Sequence, residues 1–182
     1  EPAVSPEATD AGRTAAAEPT VEPPATTAEV QVPFLEDWQG SAHADAQSEA
    51  FRHWDTEDPQ EVPASCARCH SAVGLPDYLG ADGSAVGSVD QPAPVDTVVT
   101  CVTCHNSATR RLDWVIMPSG VMIGNLGPEA VCMQCHQGRA SKVQVDNAIQ
   151  EANATELDTV SEDLGFTNIH YYAAAATMYG TV

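Results

Sequence analysis

The chain has 182 residues, with 26 acidic side chains against 7 basic ones and a formal charge of −19 with neutral histidines. That length suits one domain with an extension, and that charge excludes nucleic acid, whose phosphates would be repelled, and disfavours adsorption to an anionic membrane surface. The apolar runs are far shorter than a bilayer span, so no membrane-spanning segment is expected.

Residues 1–33 carry six prolines among small and acidic residues, a composition that interrupts helices and offers little apolar area to bury. The segment is expected to be an arm or linker: a tether, an extended stretch lying over a folded surface, or a disordered tail. A folded domain is expected over 34–182. Ser41 is placed to cap a helix over 42–54, with Ala46, Ala50 and Phe51 suited to packing. Residues 55–63 should turn, and the glycines, prolines and scattered aspartates of 74–95 read as an irregular surface loop. Two short apolar runs flank Pro118-Ser119-Gly120 within 112–126, which reads as a hairpin with glycine supplying the positive φ. Pro128 can open a further helix, another is expected near 146–153, and the alanine run within 168–180 predicts a terminal helix with Asn168 as cap. The expected class is mainly α with extensive irregular loops and one short β-hairpin.

All six cysteines fall into three C-x-x-C-H motifs: Cys66-Ala67-Arg68-Cys69-His70, Cys101-Val102-Thr103-Cys104-His105 and Cys132-Met133-Gln134-Cys135-His136. This is the attachment signature of c-type haem. Two thiols separated by two residues reach the two vinyl groups on one porphyrin edge, and the adjacent histidine can ligate iron from one side. A thioredoxin-like dithiol or a zinc site competes for a single motif. A dithiol would want an α/β frame, and zinc would need the pairs to converge and would strand one of the three. Three covalently bound haem c groups are therefore expected. Because this attachment follows export, a removed leader is expected before Glu1, together with an extracytoplasmic location: periplasmic, cell-surface or extracellular.

The chain has six histidines. His70, His105 and His136 are proximal, which leaves His43, His53 and His170 for three distal positions. Imidazole on both sides closes each iron to substrate and favours low potential. On a shared helix His43 and His53 would lie about 15 Å apart along the axis and could serve two different haems, not one. Spacing does not assign any distal histidine to a particular haem. Methionine is the rival ligand; Met133 is poorly placed inside its own motif, Met117 and Met122 suit packing, and Met178 remains available. The attachment motifs follow one another after 35 and 31 positions (66 to 101, 101 to 132), which favours closely spaced porphyrins. Arg68, Arg110, Arg111, Arg139 and Lys142 lie near the motifs and are placed to pair with propionates or with surface carboxylates. Trp38, Trp54, Trp114, Phe51, Tyr171 and Tyr172 are expected to pack against porphyrin edges or fill gaps between them.

These residues resemble extracytoplasmic multihaem c-type cytochromes with bis-histidine haems, and in particular the N-terminal part of larger members. The stretch Trp38-Gln39-Gly40-Ser41-Ala42-His43-Ala44 followed by Ala50-Phe51-Arg52-His53-Trp54 is similar to a helix preceding their first motif, where the histidine matching His43, and often one near His53, is a distal ligand. Val62-Pro63-Ala64-Ser65-Cys66 through His70 is similar to their first attachment segment, and Asn168-Ile169-His170-Tyr171-Tyr172-Ala173-Ala174 to one where histidine again caps a haem. The similarity covers residues 38–180. It implies a small multihaem cytochrome c fold organised around three covalent haems, and electron transfer, not catalysis, within a larger redox complex or conducting assembly. Partners would be redox proteins, other cytochromes or copies of itself, and the acidic surface would favour a basic one. Many relatives continue into further haem motifs, whereas this chain ends at Val182. Two other readings stand beside it. One is a reductase of a small nitrogen or sulfur oxyanion or peroxide, although the C-x-x-C-K variant of some relatives is absent. The other is a structural or interaction subunit of a cytochrome assembly.

Overall fold

A computed structural model describes residues 32–170 and 173–180. The chain divides at Pro33 into two units, and the helices and strands of the described residues belong to the second, Phe34–Val182. Apart from Val32 and Pro33, the arm of residues 1–33 lies outside the described residues, as do Tyr171 and Tyr172.

The described residues form eight α-helices: α1 (Leu35–Gln39), α2 (Glu49–Arg52), α3 (Ala64–His70), α4 (Gly74–Tyr78), α5 (Cys101–Cys104), α6 (Glu129–Met133), α7 (Lys142–Glu151) and α8 (Ala174–Met178). Four short strands complete them: β1 (Glu61–Val62), β2 (Ala93–Pro94), β3 (Val115–Ile116) and β4 (Met122–Ile123). They make two antiparallel pairs, with Val62 opposite Ala93 and Val115 opposite Ile123. Gly120, at φ 86°, makes the turn between β3 and β4, where the Met117 amide donates to the Val121 carbonyl at 2.9 Å. Among the described residues no helix is long and apolar enough to cross a membrane.

The single helix expected over 42–54 does not form. The Asp45 carboxylate accepts from the Gln47 amide at 3.0 Å, and the Ser48 hydroxyl accepts from Ala50 at 3.4 Å as the N-cap of α2. These side chains satisfy the amides that a continuous helix would need, so the backbone turns instead. His43 therefore sits in a turn and His53 is the C-cap of α2, which removes the shared helical frame. The terminal helix is also shorter than expected. His170 has φ 73°, its amide donates to the Asn168 side chain at 2.8 Å, and α8 starts only at Ala174. Asn168 thus closes a turn and does not cap that helix. By contrast, α7 begins four residues earlier than expected, because Ser141 and Gln144 form a reciprocal capping box. The loop expected over 74–95 contains α4 and the strand β2.

Among the described residues three small apolar clusters take the place of one continuous core. Leu75, Tyr78, Leu79, Leu112 and Ala130 form the first, with Trp114 against it. Val115, Met117, Met133 and Ala175 form the second. Val62, Ala67 and Ala93 form the third, beside Trp54 and Cys66. Met133 and Ala67, each inside a C-x-x-C-H motif, are buried in two of the three, so the motifs are part of the packing and not appended to it.

Candidate functional site

Each motif folds as about one helical turn. The first lies at the end of α3, the second forms α5, and the third begins in α6. In the second and third motifs the histidine amide donates to the carbonyl of the first cysteine, His105 to Cys101 at 2.8 Å and His136 to Cys132 at 2.9 Å. This i to i+4 bond sets the two cysteines at i and i+3 on one helical face, about 5–6 Å apart. All six cysteines are free. We denote Cys66, Cys69 and His70 site 1, Cys101, Cys104 and His105 site 2, and Cys132, Cys135 and His136 site 3.

Local chemistry explains these turns. Thr100 and Thr103 make a capping box at the start of α5, and the Thr103 hydroxyl also donates to the Ala72 carbonyl at 2.8 Å, tying site 2 to the exit of site 1. Beyond site 1, fully buried Ser71 donates to Ala67 at 2.8 Å and accepts from the Gly74 amide at 2.9 Å, which ends α3 and starts α4. Gly74 is needed there, since a Cβ would lie 2.0 Å from the Ala67 carbonyl oxygen. In site 3, buried Gln134 donates through Nε2 to the Trp114 carbonyl at 2.7 Å, pinning the motif to the hairpin.

Four of the six histidines are brought together in two pairs. The rings of His43 and His136 lie with centroids 5.9 Å apart at 66°, and those of His70 and His170 lie 5.8 Å apart at 82°. Each pair joins a motif histidine to one outside the motifs. The rings of His53 and Trp54 meet edge to face at 4.9 Å, and His53 Nδ1 lies 3.1 Å from Glu49 Oε1. His53 is thus placed against Trp54 and Glu49, and among the described residues no histidine ring is stacked on His105. Trp54 bridges onward to His70 at 5.5 Å.

The Ala50 carbonyl is a feature of the site that the sequence did not reveal. His70 Nδ1 lies 2.8 Å from it. A carbonyl only accepts, so Nδ1 carries the proton and Nε2 keeps its lone pair for a metal. A backbone carbonyl leaves no residue-specific signal in sequence. Burial, together with His70 and Arg139, lowers the His170 pKa below the ordinary imidazole value, which favours the neutral, ligating form.

Sites 1 and 3 touch. The Cys135 thiol donates to the Arg68 carbonyl at 3.6 Å and to the Cys69 sulfur. That hydrogen bond and the Arg68 guanidinium pull Cys69 down to about 5, while the same pairing and burial push Cys135 up. Burial, then Cys132 and Cys101, raise Cys104. The Arg68 guanidinium lies over the Tyr78 ring, 4.7 Å from its centroid. Lys142 pairs with Asp146 on its own helix. Met117 and Met133 are core residues, whereas Met122 and Met178 are exposed, so Met122 does not take the packing role expected of it.

The donor set allows a test of fit for metal and haem. Among the described residues the one group of three or more His, Cys, Asp or Glu donors within 4.8 Å of one another is Asp77, Asp82 and Asp90. The thiols therefore do not converge as tetrahedral zinc requires. For two imidazoles on opposite sides of one first-row metal, bonds of about 2 Å to each nitrogen put ring centroids about 6 Å apart. Ordinary edge-to-face ring packing falls within the same range. What favours the ligand reading is which rings pair, a motif histidine with a non-motif histidine in both cases. No family model matches the chain, and neither a curated protein nor a solved structure matches it.

Proposed function

We propose that this chain carries three covalently bound c-type haems with histidine on both sides of the iron and serves in electron transfer. The observation that carries the reading is the pairing of His43 with His136 and of His70 with His170, at centroid separations suited to an intervening metal. Cys66 and Cys69, Cys101 and Cys104, and Cys132 and Cys135 would hold the three porphyrins through thioethers. His70, His105 and His136 would be the proximal ligands, His170 the distal ligand at site 1 and His43 at site 3. By donor count His53 is assigned to the remaining position. Iron in haem supplies a one-electron couple whose potential its ligands and surroundings set.

The protein's own groups prepare the sites for that task. The Ala50 carbonyl orients the His70 ring and makes its free nitrogen a stronger donor. Paired imidazoles at sites 1 and 3, and His53 at site 2, would leave no coordination position for a substrate, which separates electron transfer from the reductase reading. The formal charge of −19 supports the more positive, oxidised state of each centre and favours a basic redox partner. Export before haem attachment supports an extracytoplasmic location, and the short spacing between motifs supports close centres. The resemblance of residues 38–180 to multihaem cytochromes supports a place within a larger redox complex or conducting assembly.

The test is a haem count by intact mass, combined with near-infrared magnetic circular dichroism of the oxidised protein. Three bound haems with bis-histidine bands are expected. A chain purified intact with thiol-bound zinc and no haem, or with a native high-spin iron that binds cyanide rapidly, overturns the reading.

A further inference from the structure

The distal histidines at sites 1 and 3 are exchanged in an unexpected way. The segment bearing His43, whose ring faces His136 of site 3, is anchored at Ala50 to His70 of site 1 through the 2.8 Å bond. The segment bearing His170, whose ring faces His70 of site 1, is anchored to site 3. There the Arg139 amide donates to Ile169 at 2.9 Å, and the Ala175 amide donates to the His136 carbonyl at 2.9 Å. Gly138 permits this approach, with φ 86° and an added Cβ only 2.9 Å from the Ile169 carbonyl oxygen. Each site therefore receives its second imidazole from a segment fastened to the other. Independently, the Cys135 sulfur lies 3.6 Å from the Arg68 carbonyl oxygen, so the first and third motifs meet.

We infer that sites 1 and 3 form a directly coupled pair, so that an electron can step straight between the first and third motifs, out of sequence order. This rests on the trihaem reading and adds to it which two centres are neighbours. With haem held by both motifs the pair would supply a one-electron exchange, one centre oxidised as the other is reduced, with no bond or proton changing hands. The reciprocal fastening holds the spacing, because shifting either distal segment disturbs both sites together.

The test uses the intact holoprotein. Haem counting by mass and peptide mapping first establishes which motifs are loaded. Nuclear Overhauser spectra of the fully reduced, diamagnetic protein should then show cross-peaks between porphyrin substituents of the haems on Cys66/Cys69 and on Cys132/Cys135. Three haems without such cross-peaks overturn the pairing alone. Absence of haem from motif one or three overturns both the pairing and the trihaem reading. As a second measurement, Gly138→Ala should shift the low-spin electron paramagnetic resonance signals of sites 1 and 3 together and leave that of site 2 in place. A shift confined to one of the two sites counts against the pair. The spectra of the unaltered protein decide the matter even where the variant does not fold.

Discussion

Six imidazoles and six thiols carry the proposed chemistry, and the individual histidines differ in what surrounds them. His170→Ala should convert site 1 to a high-spin centre, and His43→Ala should do the same at site 3, since those are the rings each faces. Electron paramagnetic resonance of the oxidised variants checks both. Two variants that each disturb site 2 would contradict the pairings. His53→Ala should leave the low-spin signatures of sites 1 and 3 unchanged, because its ring faces Trp54 and Glu49. The cysteines and motif histidines are legible in sequence because their relation is local, spanning one helical turn. The Ala50 carbonyl is not, because any residue at that position would supply the same acceptor.

Among the elements, the junction between α3 and α4 shows how short helices are held without long apolar faces. Ser71→Ala would leave the buried Gly74 amide without its partner, a cost of about 1–3 kcal/mol. Gly74→Ala forces a methyl against the Ala67 carbonyl and should cost about 3 kcal/mol. Denaturant unfolding of both variants measures these losses, and a variant at position 74 as stable as the parent would contradict the close approach. In the following loop, desolvation and the carboxylates of Asp77 and Asp82 raise the Asp90 pKa. A raised carboxyl pKa favours the folded state at acid pH, and that contribution is lost as pH rises through the folded value. Asp90→Asn should therefore melt higher than the parent at neutral pH, with the difference shrinking as pH falls through the carboxylate range. Thermal melts at several pH values check the sign. Of the helix starts, that of α6 at Pro128 was readable in outline. The break between α1 and α2 was not, because Asp45 and Ser48 could as well have lain on the exposed face of a continuous helix.

For the whole molecule, the excess of acidic residues governs encounter more than fold. Association with a basic redox partner should slow markedly as salt rises, since steering by net charge is screened. Stopped-flow rates at low and high ionic strength test this, and a rate independent of salt would point to an apolar contact instead. The small clusters around Leu75, Val115 and Val62 leave the motifs to share in packing, in keeping with sites that help to build the core.

The sequence alone determined the number and spacing of the C-x-x-C-H motifs and the balance of available imidazole donors. Those properties depend on neighbours within four residues and on composition, which no later folding step alters. Tertiary structure decided which histidine faces which, the contact between the first and third motifs, and the breaks at His43 and His170. These rest on partners far apart along the chain, and on side-chain caps that compete with backbone hydrogen bonds by margins local propensity does not resolve.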